Sequence, residues 1–112
     1  MEYRKLGNSD LKVSAIGYGA WGIGGAPFWK DEGDGNSLDS IKKAYDLGVN
    51  FFDTAPVYGF GHSEELIGKA LKPVRDKVIL ATKCGLRWIR KPWARSARTP
   101  AEILSWKKLT KV

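Results

Sequence analysis

The chain has 112 residues, enough for one modest domain with a real core, and its 43% apolar and 28% charged residues are an ordinary globular composition that argues against disorder. Its start leads into no apolar secretory segment, no apolar run reaches membrane-span length, and the single cysteine excludes an internal disulfide, so a cytoplasmic chain with no membrane partner is expected. The net charge of +7 is uneven: residues 1–71 carry 7 Lys/Arg against 10 Asp/Glu, residues 72–112 carry 12 against 2, and such a basic tail attracts nucleic acid or an acidic surface.

In chain order, residues 2–6 and 11–13 read as short strands around the turn-rich Gly7-Asn8-Ser9-Asp10, a hairpin. Residues 14–19 form the first strand of a larger sheet. A long loop rich in Gly and aromatics follows, residues 23–36. Asn36 or Ser37 is expected to cap a helix, with Asp39 in its first turn. Leu38, Ile41, Ala44 and Tyr45 fall near helical spacing, and Gly48 suits the left-handed position that ends the helix. The next strand, around Val49, Phe51 and Phe52, is apolar without alternation, as in a parallel sheet covered on both faces. Ser63 is expected to cap a second helix, with Leu66, Ile67, Ala70 and Leu71 on its buried face and Lys72-Pro73 ending it. Val78-Ile79-Leu80-Ala81-Thr82-Lys83 is a third strand. The strand–helix alternation is the βαβ rhythm of a parallel sheet. Thr99-Pro100-Ala101-Glu102 is a capping box that predicts a third helix over 100–109.

Two of these strands end in opposite charges, Asp53 and Lys83, and a Pro- and Gly-containing loop after Asp53 presents a phenol, Tyr58. If the strands are parallel neighbours, about 4.8 Å apart, Asp53 and Lys83 share one rim with Tyr58 above them. A free Tyr is a poor acid at neutral pH. An adjacent ammonium favours the phenolate, and a carboxylate holds that ammonium charged and in place. The product is a phenol suited to passing a proton to a substrate oxygen.

Asp53-Thr54-Ala55-x-x-Tyr58-Gly59, then Gly61-His62-Ser63-Glu64-Glu65-x-x-Gly68-x-Ala70-Leu71, then Ala81-Thr82-Lys83 resembles the aldo-keto reductase family, and the resemblance runs from about Tyr3 to Gly85. It implies an α/β fold: a partial (β/α)8 TIM barrel made of an N-terminal hairpin and about three βα units. A complete barrel needs roughly 250 residues. The resemblance also implies NADPH-dependent reduction of small carbonyl compounds, with Asp53, Tyr58 and Lys83 matching three members of a catalytic tetrad. It places Gly19, Ala20 and Trp21, with Asp53, beside the nicotinamide; for Trp21 the alternative is core packing. No match to the tetrad histidine is found, so residues 1–85 read as the N-terminal part of a barrel truncated before it. The family holds the cofactor phosphates on loops after its last strands, and Gly22-Ile23-Gly24-Gly25 does not match a dinucleotide-binding glycine pattern.

The remaining signals are weaker. His62, the only histidine, stands where it would shape the entry to the second helix, and no Cys/His cluster suggests a metal. Cys84 reads as a small buried filler at a strand end. Residues 86–112 read as a basic loop and short helix in which cations alternate with Trp. No nucleic-acid motif accompanies them, and the alternative function is that of a non-catalytic remnant binding a partner or nucleic acid through this tail. Three strands cannot close a barrel. Ile16, Phe52 and Leu80 are expected to face inward without an opposite wall, so the chain by itself is expected either to self-associate or to stay partly molten and aggregate, and to be inactive.

Overall fold

The computed structural model describes residues 1–88 and 104–106. It begins with an antiparallel hairpin of β1 (Tyr3–Lys5) and β2 (Lys12–Ser14), in which Arg4 pairs with Val13. A parallel sheet follows in the order β3 (Tyr18–Gly19), β4 (Phe51–Asp53), β5 (Ile79–Ala81). Helix α1 (Asp34–Asp46) connects β3 to β4, and α2 (His62–Leu71) connects β4 to β5. This is the expected hairpin and three-stranded βαβ arrangement.

The hairpin docks under the N-terminal end of β4 through one residue. The Asn50 carboxamide accepts from the Ser14 N–H at 2.7 Å and donates to the Lys12 carbonyl at 3.0 Å, while the Asn50 N–H donates to the Ser14 hydroxyl at 3.1 Å. The Tyr3 hydroxyl adds a bond to the Gly48 carbonyl at 2.7 Å. Gly48, at φ +97°, ends α1 as predicted: its N–H reaches Tyr45 O and the Val49 N–H reaches Ala44 O, the paired bonds of a Schellman motif. The chain thereby turns from α1 straight into β4.

The register decides what each face of the sheet carries. Tyr18, Phe52 and Leu80 stand in one row across the three strands, and Gly19, Asp53 and Ala81 do so one residue on. Phe52 is fully buried with Ile41, Leu66, Ile67 and Leu71 from the two helices, and Tyr18 and Leu80 pack against that cluster. Phe52 and Leu80 therefore face the helices, not the inner face as expected from sequence, and Ile16 lies before β3 with 65% of its surface exposed. The strand is apolar on both sides of its pleat, so hydrophobicity alone left the phase open. The carboxylate fixes it: Asp53 lies on the inner face and the period of two puts Phe51 with it and Phe52 opposite.

Other expectations are corrected. Helix α1 starts at Asp34, before Asn36 and Ser37. The Asp31 carboxylate accepts the Gly33 N–H at 2.8 Å, Gly33 turns the chain at φ +84°, and Ser37 is buried instead of capping. Ser63 does not cap α2 either, because Gly61 holds the cap position. Cys84 is exposed, since β5 ends at Ala81 and the chain beyond it runs past the sheet. In place of a basic loop and part of the helix, Leu86–Trp88 (β6) and Leu104–Trp106 (β7) pair antiparallel. Both segments alternate apolar, polar, apolar, which is a strand period, and in the register Leu86 meets Trp106 and Trp88 meets Leu104. The rest of that predicted helix lies outside the described residues.

Candidate active site

The C-terminal ends of β3, β4 and β5 meet at one rim. Lys83, two residues past β5, reaches back so that its ammonium donates to both carboxylate oxygens of Asp53, at 2.9 and 2.8 Å, and to the Thr54 carbonyl at 2.8 Å. The same nitrogen lies 4.9 Å from the centre of the Tyr58 ring. Partial removal from water, the largest single influence on Lys83, pulls its pKa down. Hydrogen bonds to Asp53 and Tyr58 and the charges of both act the other way and together raise it above its ordinary 10.5. The charged form is held in place by its neighbours.

That shift has a sign in stability. A raised lysine pKa stabilises the fold fully below the unfolded value of 10.5, and the contribution is lost as pH rises through the folded value. Both side chains are nearly half exposed, 49% for Lys83 and 42% for Asp53, so the pair is worth at most about 1 kcal/mol. Thermal melts of wild type and Lys83→Met are expected to differ by a constant small gap below pH 10.5 and to converge above it. A gap that widened above that pH would contradict the assignment.

The loop after β4 is held rigidly. Its glycines meet those of the loop after β3: a Cβ on Gly24 would lie 2.7 Å from the Tyr58 carbonyl carbon and 2.8 Å from the Gly59 nitrogen, and one on Gly59 would overlap the Gly24 carbonyl. Gly59 also sits at φ +61°, a left-handed conformation costing other residues roughly 1–2 kcal/mol. Gly59→Ala is therefore expected to destabilise the fold by more than Gly61→Ala, since Gly61 has a positive φ too but open space around it. Urea melts of the two variants decide this, and equal losses would show that the contact with Gly24 is slack.

Tyr58 belongs to an aromatic cluster. The Trp21 ring stacks on it at 6.0 Å and 28°, Trp29 meets Trp21 edge-on at 5.5 Å, and Phe28 bridges Trp21 at 6.3 Å and Phe60 at 6.1 Å. Trp21 is 47% exposed, so its packing is against the site and not in the core. Gly19 pairs with Asp53 at the rim, with nothing within 4 Å of where its Cβ would be. Ala20 differs from expectation: it is fully buried, its N–H donates to the Asp53 carbonyl at 2.8 Å and its carbonyl accepts from Ser63 at 2.8 Å. His62 opens α2 and its Nε2 lies 2.6 Å from the Asp34 carboxylate, joining the starts of the two helices.

Sequence reasoning thus brought Asp53, Tyr58, Lys83, Gly19 and Trp21 to one place. It missed Phe28 and Trp29, which pack on Trp21, and Phe60, which packs on Phe28, as well as Thr54 and Ser63 as polar supports. The glycines at 22–25 were a visible signal of a close backbone approach, which is the role Gly24 takes.

The aldo/keto reductase family model matches residues 15–106, and the chain belongs to that family. It is 47% identical over 90 residues to the aldo-keto reductase YhdN of Bacillus subtilis and 46% identical over 88 residues to an NADH-specific methylglyoxal reductase of Escherichia coli, covering 79% and 77% of this chain. The aldo-keto reductase AKR11C1 from Bacillus halodurans superposes with a TM-score of 0.72 at 34% identity, over 95% of this chain and 30% of that one. The chain spans 27% of the length of both curated relatives. The fold is part of a TIM barrel, and the family match continues to residue 106, beyond Gly85 where the sequence motifs end.

Proposed function

We propose that Tyr58, Lys83 and Asp53 form the proton-delivery part of a carbonyl reductase, with NADPH as cofactor and a small aldehyde or ketone as substrate. The observation that carries this reading is the Lys83 ammonium, clamped by Asp53 and set beside the Tyr58 ring. Tyr58 donates its proton to the substrate oxygen. Lys83 stabilises the phenolate left behind, and Asp53 keeps Lys83 charged and in position. The bare rim at Gly19, the exposed face of Trp21 and the Asp53 carboxylate fit the uncharged, amide-bearing nicotinamide end of the cofactor. When bound, the nicotinamide supplies the hydride that reduces the carbonyl carbon.

The 112 residues by themselves are expected to show no measurable reduction of small aldehydes with NADPH. Their one histidine is engaged with Asp34 at the helix starts. Turnover at an ordinary enzyme rate, about 1 per second or more, would overturn that. The reading as a whole is tested by aldehyde reduction in a complete barrel that carries residues 1–88 of this chain. Absence of turnover in a folded barrel would sink it. The preference for NADPH is tested by fluorescence titration of the protein expressed from its native reading frame, with tighter binding of NADH as the contrary result.

A further inference from the structure

Ser63 lies outside the group of side chains that touch the candidate reaction centre, yet it is bonded to the segments that carry Trp21, Asp53 and Tyr58. It is fully buried at the start of α2. Its hydroxyl donates to the Ala20 carbonyl at 2.8 Å. A hydroxyl has one proton to give, so in the 2.9 Å contact with Thr54 it is the Thr54 hydroxyl that donates and Ser63 that accepts. The Ser63 N–H donates to the Tyr58 carbonyl at 3.2 Å.

Each bond ends next to a group of the site. Ala20 precedes Trp21, which stacks on Tyr58, and the Ala20 N–H is bonded to the carbonyl of Asp53. Thr54 follows Asp53, and its carbonyl is the third acceptor of the Lys83 ammonium. Tyr58 is held directly through its own carbonyl. One small side chain and its own N–H therefore fix the ends of β3 and β4 and the Tyr58 loop relative to the start of α2.

We propose that Ser63 is a positioning residue, whose buried hydroxyl sets the relative placement of Trp21, Thr54 and, through Thr54, the Lys83–Asp53 pair beside Tyr58. An apolar residue of similar size would fill the same space and leave the Ala20 carbonyl and the Thr54 hydroxyl without their partner. A buried polar group that loses its partner moves to find another. Thr54 carries both the hydroxyl that loses its partner and the carbonyl that Lys83 uses, so a shift of the one is passed to the other. A displacement of about 1 Å at such a centre costs on the order of 100-fold in rate.

The inference rests on the reading of Tyr58, Lys83 and Asp53 as the reacting unit, so its test measures geometry and not turnover. The probe is the Lys83 ammonium, followed by NMR titration of the full 112-residue chain with carbon-13 in its lysine side chains. The wild-type midpoint is expected above 10.5. Ser63→Ala is expected to move it back toward that value, and Ser63→Thr, which keeps the hydroxyl, to restore it. Leu71→Ala, a core truncation that touches none of these bonds, is expected to lower stability and leave the Lys83 midpoint in place. A folded Ser63→Ala chain with an unmoved midpoint would overturn the proposal, as would an equal shift in Leu71→Ala. If Ser63→Ala does not fold, Thr54→Val removes the same link from the other side and carries the same two outcomes.

Discussion

Tyr58→Phe, in a complete barrel carrying residues 1–88, is expected to lose carbonyl reduction by about 10²- to 10⁴-fold, the range that a positioned general acid supplies. The substitution is narrow in its effects. The phenyl ring can keep the stack on Trp21, and the backbone that fixes the loop, from Ala55 through the Ser63 N–H, involves no side-chain atom of Tyr58. Only the hydroxyl goes. Cofactor binding, which this reading assigns to Gly19, Trp21 and Asp53, is therefore expected to change by no more than a few fold. Steady-state rates together with a cofactor titration separate the two. A loss shared equally between rate and cofactor affinity would point to a disturbed rim and not to a missing acid.

Lys83→Met is expected to have an effect of the same order by a different route. The variant keeps an unbranched side chain of similar length and removes the charge. Asp53 then loses both of its bonds to the ammonium, the Thr54 carbonyl loses its bond from the same nitrogen, and Tyr58 loses the cation 4.9 Å from its ring. The phenolate formed on proton transfer would have no adjacent positive charge, which is the state the ammonium serves. Reduction is expected to fall by about 10²- to 10⁴-fold with substrate KM little changed, because Lys83 supports the reaction and not the docking of substrate. Arginine in its place is not a rescue, since a planar fork cannot reproduce a point donor shared between Asp53 and Thr54.

Much of this arrangement was legible in the sequence because charge interrupts apolar strands at so few places. Asp53 and Lys83 each close an apolar run, and two parallel neighbours that end in opposite charges have one plausible meeting point. The Schellman end at Gly48 was equally readable, since an αL residue between a helical pattern and a strand leaves little choice. The phase of β4 was readable in principle, as Asp53 and Phe52 cannot share a face, but the uniform apolarity around them hid it. Ser63 was misread for a physical reason. A serine preceding an acidic first turn is the pattern of a helix cap, and the same pattern serves when Gly61 makes the turn and the serine hydroxyl is needed inward. The contact of Gly24 with Gly59 joins residues 35 positions apart, and no local rule pairs them. Within the helix expected over 100–109, Leu104–Trp106 instead forms a strand, for which its three-residue alternation was the readable signal.

The most direct test of the central claim, that Asp53, Tyr58 and Lys83 act as one unit, is a double-mutant cycle of Tyr58→Phe and Lys83→Met measured as kcat for aldehyde reduction. If Lys83 acts through Tyr58, the double variant is expected to be no slower than Tyr58→Phe alone, because a cation that serves a phenolate has nothing to serve once the hydroxyl is gone. If the two losses multiply, Lys83 acts on the reaction by itself and the account of the site is wrong.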